Sequence, residues 1–388
     1  MQEMDTKRKD HLPKFVTPET AVQAVRSGDW VDYGFGVGVP ELLDQALAAR
    51  KGGVRDVKVR GGLVIRPRIE IVESDPEQES FTYYSWHIGD YERKLQTRGL
   101  VKFLPVMLRS LPYLYRDKHI RCDVAFVPVS RPDEDGYCGL GISNYVWRTI
   151  FESARTVIFE INEHYPRLQG VPYTVAKMLA ESDKHDLGCH TGTISDAFLE
   201  LYRAGKLTNA RKELDTGRSA WNLAMGSQAI YDWLDAEPEF FHPGDLDYIH
   251  SVERIAKLSN VISINGGVQL DLMGQENAES AGTRQLSGIG GQMDFLEGAY
   301  RSQGGKGFIC INVSRVTKDG ERKSNIVAAI PSGSTVSAPR TMIQHVATEY
   351  GIAVLSSKSL RERAEAMAAI AHPDFREKLM KYARDNFR

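Results

Sequence analysis

Short runs rich in β-branched residues, alternating with longer amphipathic stretches, restrict what this sequence can fold into more than any other feature. Val57–Val59, Val124–Val129, Thr156–Ile161, Val261–Ile264, Phe308–Val313 and Ile326–Ile330 read as strands, and several are apolar at every position rather than at every second one. A strand apolar on both faces needs cover on both faces, which parallel sheets obtain from crossover helices. Glu41–Ala49, Val175–Ala180, Ala197–Ala204 and Leu360–Ala369 space their apolar residues for that task. The expected class is therefore α/β with largely parallel sheets. A chain of 388 residues exceeds one ordinary core, and Glu163–Pro172, with two prolines, is the best break. The expected units are residues 1–165 and 166–388.

Charge and cysteine usage then exclude several functions. With 49 Lys+Arg against 51 Asp+Glu, the net charge of -2 offers no basic groove, so nucleic acid is not expected as a partner. The longest apolar runs are strand-sized, far below the roughly 18 residues of a membrane span, so no membrane partner is expected either. The start, with Lys7, Arg8, Lys9 and Asp10, lacks the apolar core of a signal peptide. Cys122, Cys138, Cys189 and Cys310 have no paired spacing, which fits a reducing, cytoplasmic location.

Glycine clusters are prominent. Gly34-Phe35-Gly36-Val37-Gly38 and Gly288-Ile289-Gly290-Gly291 both miss the last glycine of a dinucleotide fingerprint, and Gly304-Gly305-Lys306 lacks the flanks of a phosphate loop. They read either as tight turns or as places where backbone N–H groups approach a ligand. One pattern occurs twice: Gly38-Val39-Pro40 and Gly170-Val171-Pro172 each open an amphipathic stretch, with Pro set for a first helical turn. His185, Cys189 and His190 have no second ligand pair, so no metal is expected.

Five runs together resemble one family. They are Asp123–Tyr137, Leu270–Gln275, Ser287–Phe295, Ala347–Ala353 and Ile370–Arg376, which include Leu270-Asp271-Leu272-Met273-Gly274-Gln275 and Ser287-Gly288-Ile289-Gly290-Gly291-Gln292. In this order they resemble the acetyl-CoA hydrolase/transferase family, the group that includes 4-hydroxybutyrate and butyrate CoA-transferases. The resemblance implies two similar α/β domains facing each other across an acyl-CoA cleft. It also implies an enzyme acting on an acyl-CoA and a small carboxylic acid, coenzyme A being part of the substrate with no permanently bound cofactor, and a homodimer or homotetramer.

In that family a glutamate after a His-Thr or His-Ser pair attacks the thioester and carries CoA covalently. Here the segment is His190-Thr191-Gly192, so the nucleophile position holds Gly192, which has no side chain. The resemblance further assigns Gly170 and Val171 to the oxyanion turn, Glu349 to an accessory carboxylate, and Lys318, Gly290 and Gly291 to the CoA side. His250 stands where some members hold the carboxylate substrate with an asparagine. Several dozen residues that relatives carry between Arg167 and Gly170, including a helix and a strand, have no counterpart here. The expected activity is thioester hydrolysis with Glu349 or Asp196 as general base. Two alternatives are transfer, either by direct attack of the acceptor carboxylate or through a displaced glutamate such as Glu276 or Glu279, and acyl-CoA binding without turnover.

Overall fold

A computed structural model describes residues 15–117, 119–129, 138, 140, 143, 145–162, 179–317 and 319–387. The first sheet has six strands: β1 Trp30–Phe35, β2 Val57–Gly62, β3 Phe81–Ser85, β4 Lys102–Phe103, β5 Val124–Val129 and β6 Thr156–Ile161. Their order is β4-β3-β2-β1-β5-β6, and every pairing is parallel. The all-apolar run Val124–Val129 becomes a strand buried at all positions because it lies beside the central β1. Helices between the strands cover both faces, and Val31, Leu47, Val59, Ile71 and Phe126 build one core on this sheet.

A charge pair is set into that sheet. Asp32 on β1 and Arg60 on β2 are register neighbours, Arg60 Nε lies 2.7 Å from Asp32 Oδ1, and both side chains are buried. Tyr115 Oη donates to the same carboxylate and Arg60 Nη2 donates to the Arg121 carbonyl, so the buried charges are neutralised and hydrogen-bonded.

The second half repeats the plan in pieces. β7 His190–Ile194, β8 Ser219–Ala224 and β9 Phe241–Pro243 form a parallel three-stranded sheet. β10 Ile262–Gly266 pairs in parallel with a later strand in a separate four-stranded sheet. Between these two strands lie β11 Gln269–Asp271 and β12 Glu276–Asn277, which pair with each other. The partner of β10 is β13 Lys306–Cys310. β14 Ile326–Val327 joins β11, and β15 His345–Thr348 and β16 Gly351–Val354 complete the four-stranded sheet. A second core, with Leu296, Ile309, Val346, Leu355 and Met367, sits between that sheet and the helices Gln292–Arg301 and Leu360–Ala369.

Differences from the sequence reading are local. The Ile326–Ile330 run is a strand only over Ile326–Val327, and Phe308–Val313 shifts to Lys306–Cys310. Gly34, read as part of a loop, belongs to β1; a Cβ there would lie 1.8 Å from the Gly38 carbonyl oxygen, so the chain folds back closely enough to demand glycine. The N–H groups of Glu41 and Leu43 after this turn donate to the Glu160 carboxylate, each at 2.8 Å. In the first half the anion-accepting helix start is thus satisfied from within the protein.

Candidate active site

A cavity of about 1280 Å³ opens where the two halves meet. Phe35, Leu63, His87 and Tyr145 line it from the first half, and Thr191, Gly192, His250, Gly291 and Phe295 from the second. The halves are tied beside it. Ser287 Oγ lies 3.0 Å from His87 Nε2, Arg93 Nη1 donates to the Leu286 carbonyl at 2.6 Å, and Arg109 Nε is 3.1 Å from Asp294 Oδ1.

Gly192 is in the middle of β7, and His250 occupies the space beside it. A Cβ built on Gly192 would lie 3.1 Å from His250 Nε2, 3.4 Å from Cε1 and 3.6 Å from a ring carbon of Phe295. Gly291 holds the other flank of the imidazole, since a Cβ there would come within 2.1 Å of Cε1. The ring is therefore clamped between two glycine backbones, with Phe295 at 5.3 Å in an edge-on contact.

His250 is oriented by a carboxylate. Its Nδ1 lies 3.1 Å from Asp294 Oδ2, and both residues are buried. A carboxylate accepts, so Nδ1 carries a proton, and in its neutral form the ring presents the Nε2 lone pair on the Gly192 side. Arg109 stands at ion-pair distance from the other oxygen of Asp294 without hydrogen-bond geometry, so that buried oxygen has no hydrogen-bond partner among the described residues. Asp294 comes from the first turn of the helix Gln292–Arg301 and His250 from the end of the short helix Leu246–Ile249, far apart in sequence.

Two further histidines, His87 and His190, line the cavity, and both are held neutral. Burial holds His87 down at about 4, with Arg93 adding to the effect, and burial likewise holds His190 at about 4, with its Nε2 donating to the Ile249 carbonyl at 2.8 Å. Each leaves its Nδ1 without a partner among the described residues. Cys189, three residues before Gly192, is buried and its thiol is pushed up to about 12 by desolvation, so it is a poor nucleophile.

The other expected site residues fall in three groups. Gly290 and Gly291 line the cavity together with Gly192 and His250, and Gly290 has φ +62°. Glu349 does not line it. It is exposed at the turn between β15 and β16, where its Oε2 accepts from the Val313 N–H at 3.1 Å. Asp196 does not line it either, because its carboxylate accepts from the Ser227 N–H at 2.8 Å and from the Ser227 hydroxyl, pinning the start of the helix Gln228–Ala236. Neither carboxylate is among the described residues that line the cavity. Gly170, Val171 and Lys318 lie outside the described residues, as does Val175 of the expected helix.

Of the displaced glutamates, Glu279 accepts from Ser337 Oγ at 2.7 Å, and Glu276 is fully buried beside Gln292. Burial, followed by the charge of Glu279 and opposed by the Gln292 bond, raises Glu276 from 4.5 to about 8. A carboxyl that binds its proton more tightly when folded adds stability below its unfolded pKa and loses it as pH rises through the folded one. The wild-type urea midpoint should therefore fall between about pH 5 and pH 8. Glu276→Gln should flatten that fall and be the more stable protein at pH 8. Equal slopes for the two proteins would refute the assignment.

The sequence reading missed Asp294, Arg109, Phe295 and His87. Asp294 and Phe295 were within the quoted run Ser287–Phe295, but only the fold reveals that Asp294 meets His250.

Comparison with known proteins defines the class. The acetyl-CoA hydrolase/transferase N-terminal domain matches residues 1–181, and the C-terminal domain of the same family matches residues 226–383. The chain belongs to the acetyl-CoA hydrolase/transferase family. A butyryl-CoA:acetate CoA-transferase of Anaerostipes caccae is 35% identical over 97% of each chain. That alignment runs over 434 positions, more than the 388 residues here, so the relative carries residues without a counterpart in this chain. The crystal structure of RipA from Yersinia pestis superposes with a TM-score of 0.84 at 30% identity, covering 95% of this chain and 97% of that one. An acetyl-CoA hydrolase of Candida albicans is 25% identical over 66% of this chain and 47% of its own length. Family members are CoA-transferases or acetyl-CoA hydrolases, and this chain is an enzyme of that kind.

Proposed function

We propose that this enzyme hydrolyses an acyl-CoA thioester, with His250 as general base. The observation that carries the proposal is the Asp294-oriented imidazole, whose Nε2 lies 3.1 Å from the Cβ position of Gly192 on the wall of the cavity. A water at Nε2 attacks the thioester carbonyl and gives its proton to His250, while Asp294 steadies the imidazolium. The tetrahedral oxyanion is assigned, on the resemblance, to the N–H groups of Gly170 and Val171. Its collapse breaks the C–S bond, and the CoA thiolate takes the proton back from His250. The products are the free acid and CoA, and the acyl group is that of a small carboxylic acid.

Transfer through Glu276 is the second reading, since relatives bear CoA-transferase names. It would need a buried carboxyl with a raised pKa to ionise and move. The test is acyl-CoA turnover with and without a free acceptor acid, following thiol release and label exchange. Net thiol release independent of the acceptor is the expected result. Acceptor-dependent exchange without thiol release would establish transfer, and binding without either would establish a silent site.

A further inference from the structure

Asp294 sets the direction of the His250 ring, yet hydrogen bonding holds only one of its two oxygens. Oδ2 accepts from His250 Nδ1 at 3.1 Å, while Oδ1 is buried and has no hydrogen-bond partner among the described residues. A carboxylate turns about a broad, two-fold torsion, so one hydrogen bond at one oxygen does not fix its plane. Arg109 supplies the second point. Its Nε stands 3.1 Å from Oδ1, and among the described residues no other Lys or Arg is at ion-pair distance from Asp294.

This arginine comes from the other half of the molecule. It sits in the single-turn helix Leu108–Ser110; Leu108 of that turn and Leu111 just after it are buried in one core with Leu246, four residues before His250. Arg109 and His250 are thus anchored in the same packed cluster. From there the guanidinium reaches the helix Gln292–Arg301, where Asp294 and Glu297, three apart, share a face, and its Nη1 is 3.5 Å from Glu297 Oε2. Without it, two carboxylates one turn apart would repel, and the buried one would be free to rotate off the imidazole. We infer that Arg109 is a positioning residue for hydrolysis, contributed by the first half: it locks the Asp294 carboxylate in the plane that aims His250 Nε2 at the Gly192 side of the cavity. This role rests on the reading of His250 as general base.

Arg109 also lines a separate pocket of about 270 Å³, together with His250, Ser251 and Glu297. A free guanidinium ion, planar and of the same charge, can therefore enter beside Asp294 when the side chain is cut back.

The test measures thiol release by Arg109→Ala, Arg109→Lys, His250→Gln and the double variant Arg109→Ala with His250→Gln. Arg109→Ala should lose about 10–10²-fold in kcat with KM changed less than about twofold, since misplacing a reacting group by about 1 Å costs on that order. Arg109→Lys keeps the charge but not the planar fork, and should recover part of the loss. Millimolar guanidinium should raise kcat of Arg109→Ala at least about threefold, whereas urea, of the same shape without the charge, should not. In the His250→Gln background Arg109→Ala should cost less than about twofold, because no base is left to aim. A purely structural loss would be neither rescued by guanidinium nor abolished by removing His250. A loss that falls on KM, no rescue by lysine or guanidinium, or equal losses with and without His250 would each overturn the role. Where Arg109→Ala does not fold, Arg109→Lys decides: a reduced kcat at unchanged KM supports the role, and wild-type kcat overturns it. Unimpaired turnover in His250→Gln would defeat the general-base reading and this role with it, whereas an impaired His250→Gln beside an unimpaired Arg109→Ala would defeat this role alone.

Discussion

Replacing His250 by glutamine should lower kcat for thioester hydrolysis by about 10²–10⁴-fold, the range a positioned general base contributes. Glutamine keeps a polar side chain of similar reach in the clamp between Gly192 and Gly291 but supplies no base. Asp294 acts through His250, so Asp294→Asn tests position rather than proton transfer. An amide facing Nδ1 can turn its carbonyl toward that N–H, but it brings no negative charge to steady the imidazolium. The loss should fall mainly on kcat, with KM little changed, and Asp294→Glu should restore part of it. Stopped assays of thiol release with circular dichroism on each variant provide the check. Unaltered turnover in a folded His250→Gln protein would remove His250 from the chemistry.

The second large effect concerns Gly192. A side chain at this position begins 3.1 Å from His250 Nε2, closer than ordinary packing, so Gly192→Glu alone should displace the imidazole and lower hydrolysis by at least about tenfold. Pairing it with His250→Asn removes the ring and gives the introduced carboxylate room. The double variant should then carry CoA covalently. Its carboxylate attacks the thioester carbonyl and expels CoA thiolate, and the thiolate attacks the resulting anhydride at the enzyme's carbonyl, releasing the acid. Intact-protein mass spectrometry after incubation with acyl-CoA should show an added CoA less one water, absent from the wild type. A wild-type adduct would instead mean that a nucleophile outside Gly192 operates. The two positions are best understood as a pair: glycine leaves the volume, and the imidazole fills it.

Much of the first half was legible in sequence because its signals are local. Val124–Val129 and Thr156–Ile161 are strands over the same residues that the β-branched pattern marks, and Leu360–Ala369 is a helix over the expected span. The family was legible for a related reason, since several short runs in fixed order carry it. The proposed general base was not. Glu349 and Asp196 are carboxylates at suggestive positions in the sequence, yet one is spent on the Val313 N–H and the other on the turn at Ser227. No local pattern reports which backbone donor a carboxylate will meet.

By itself the sequence determined the α/β class, the family, the glycine at position 192 and the lack of residues that relatives carry, because each is a matter of residue type, spacing or order. Only the tertiary structure decided that His250 rests against Gly192, that Asp294 orients it, and that β7 and β10 line one cavity. Those facts depend on residues 44 and 58 positions apart, and on strands that belong to two separate sheets. Packing brings such residues together through the whole set of contacts at once, which no short stretch of sequence encodes.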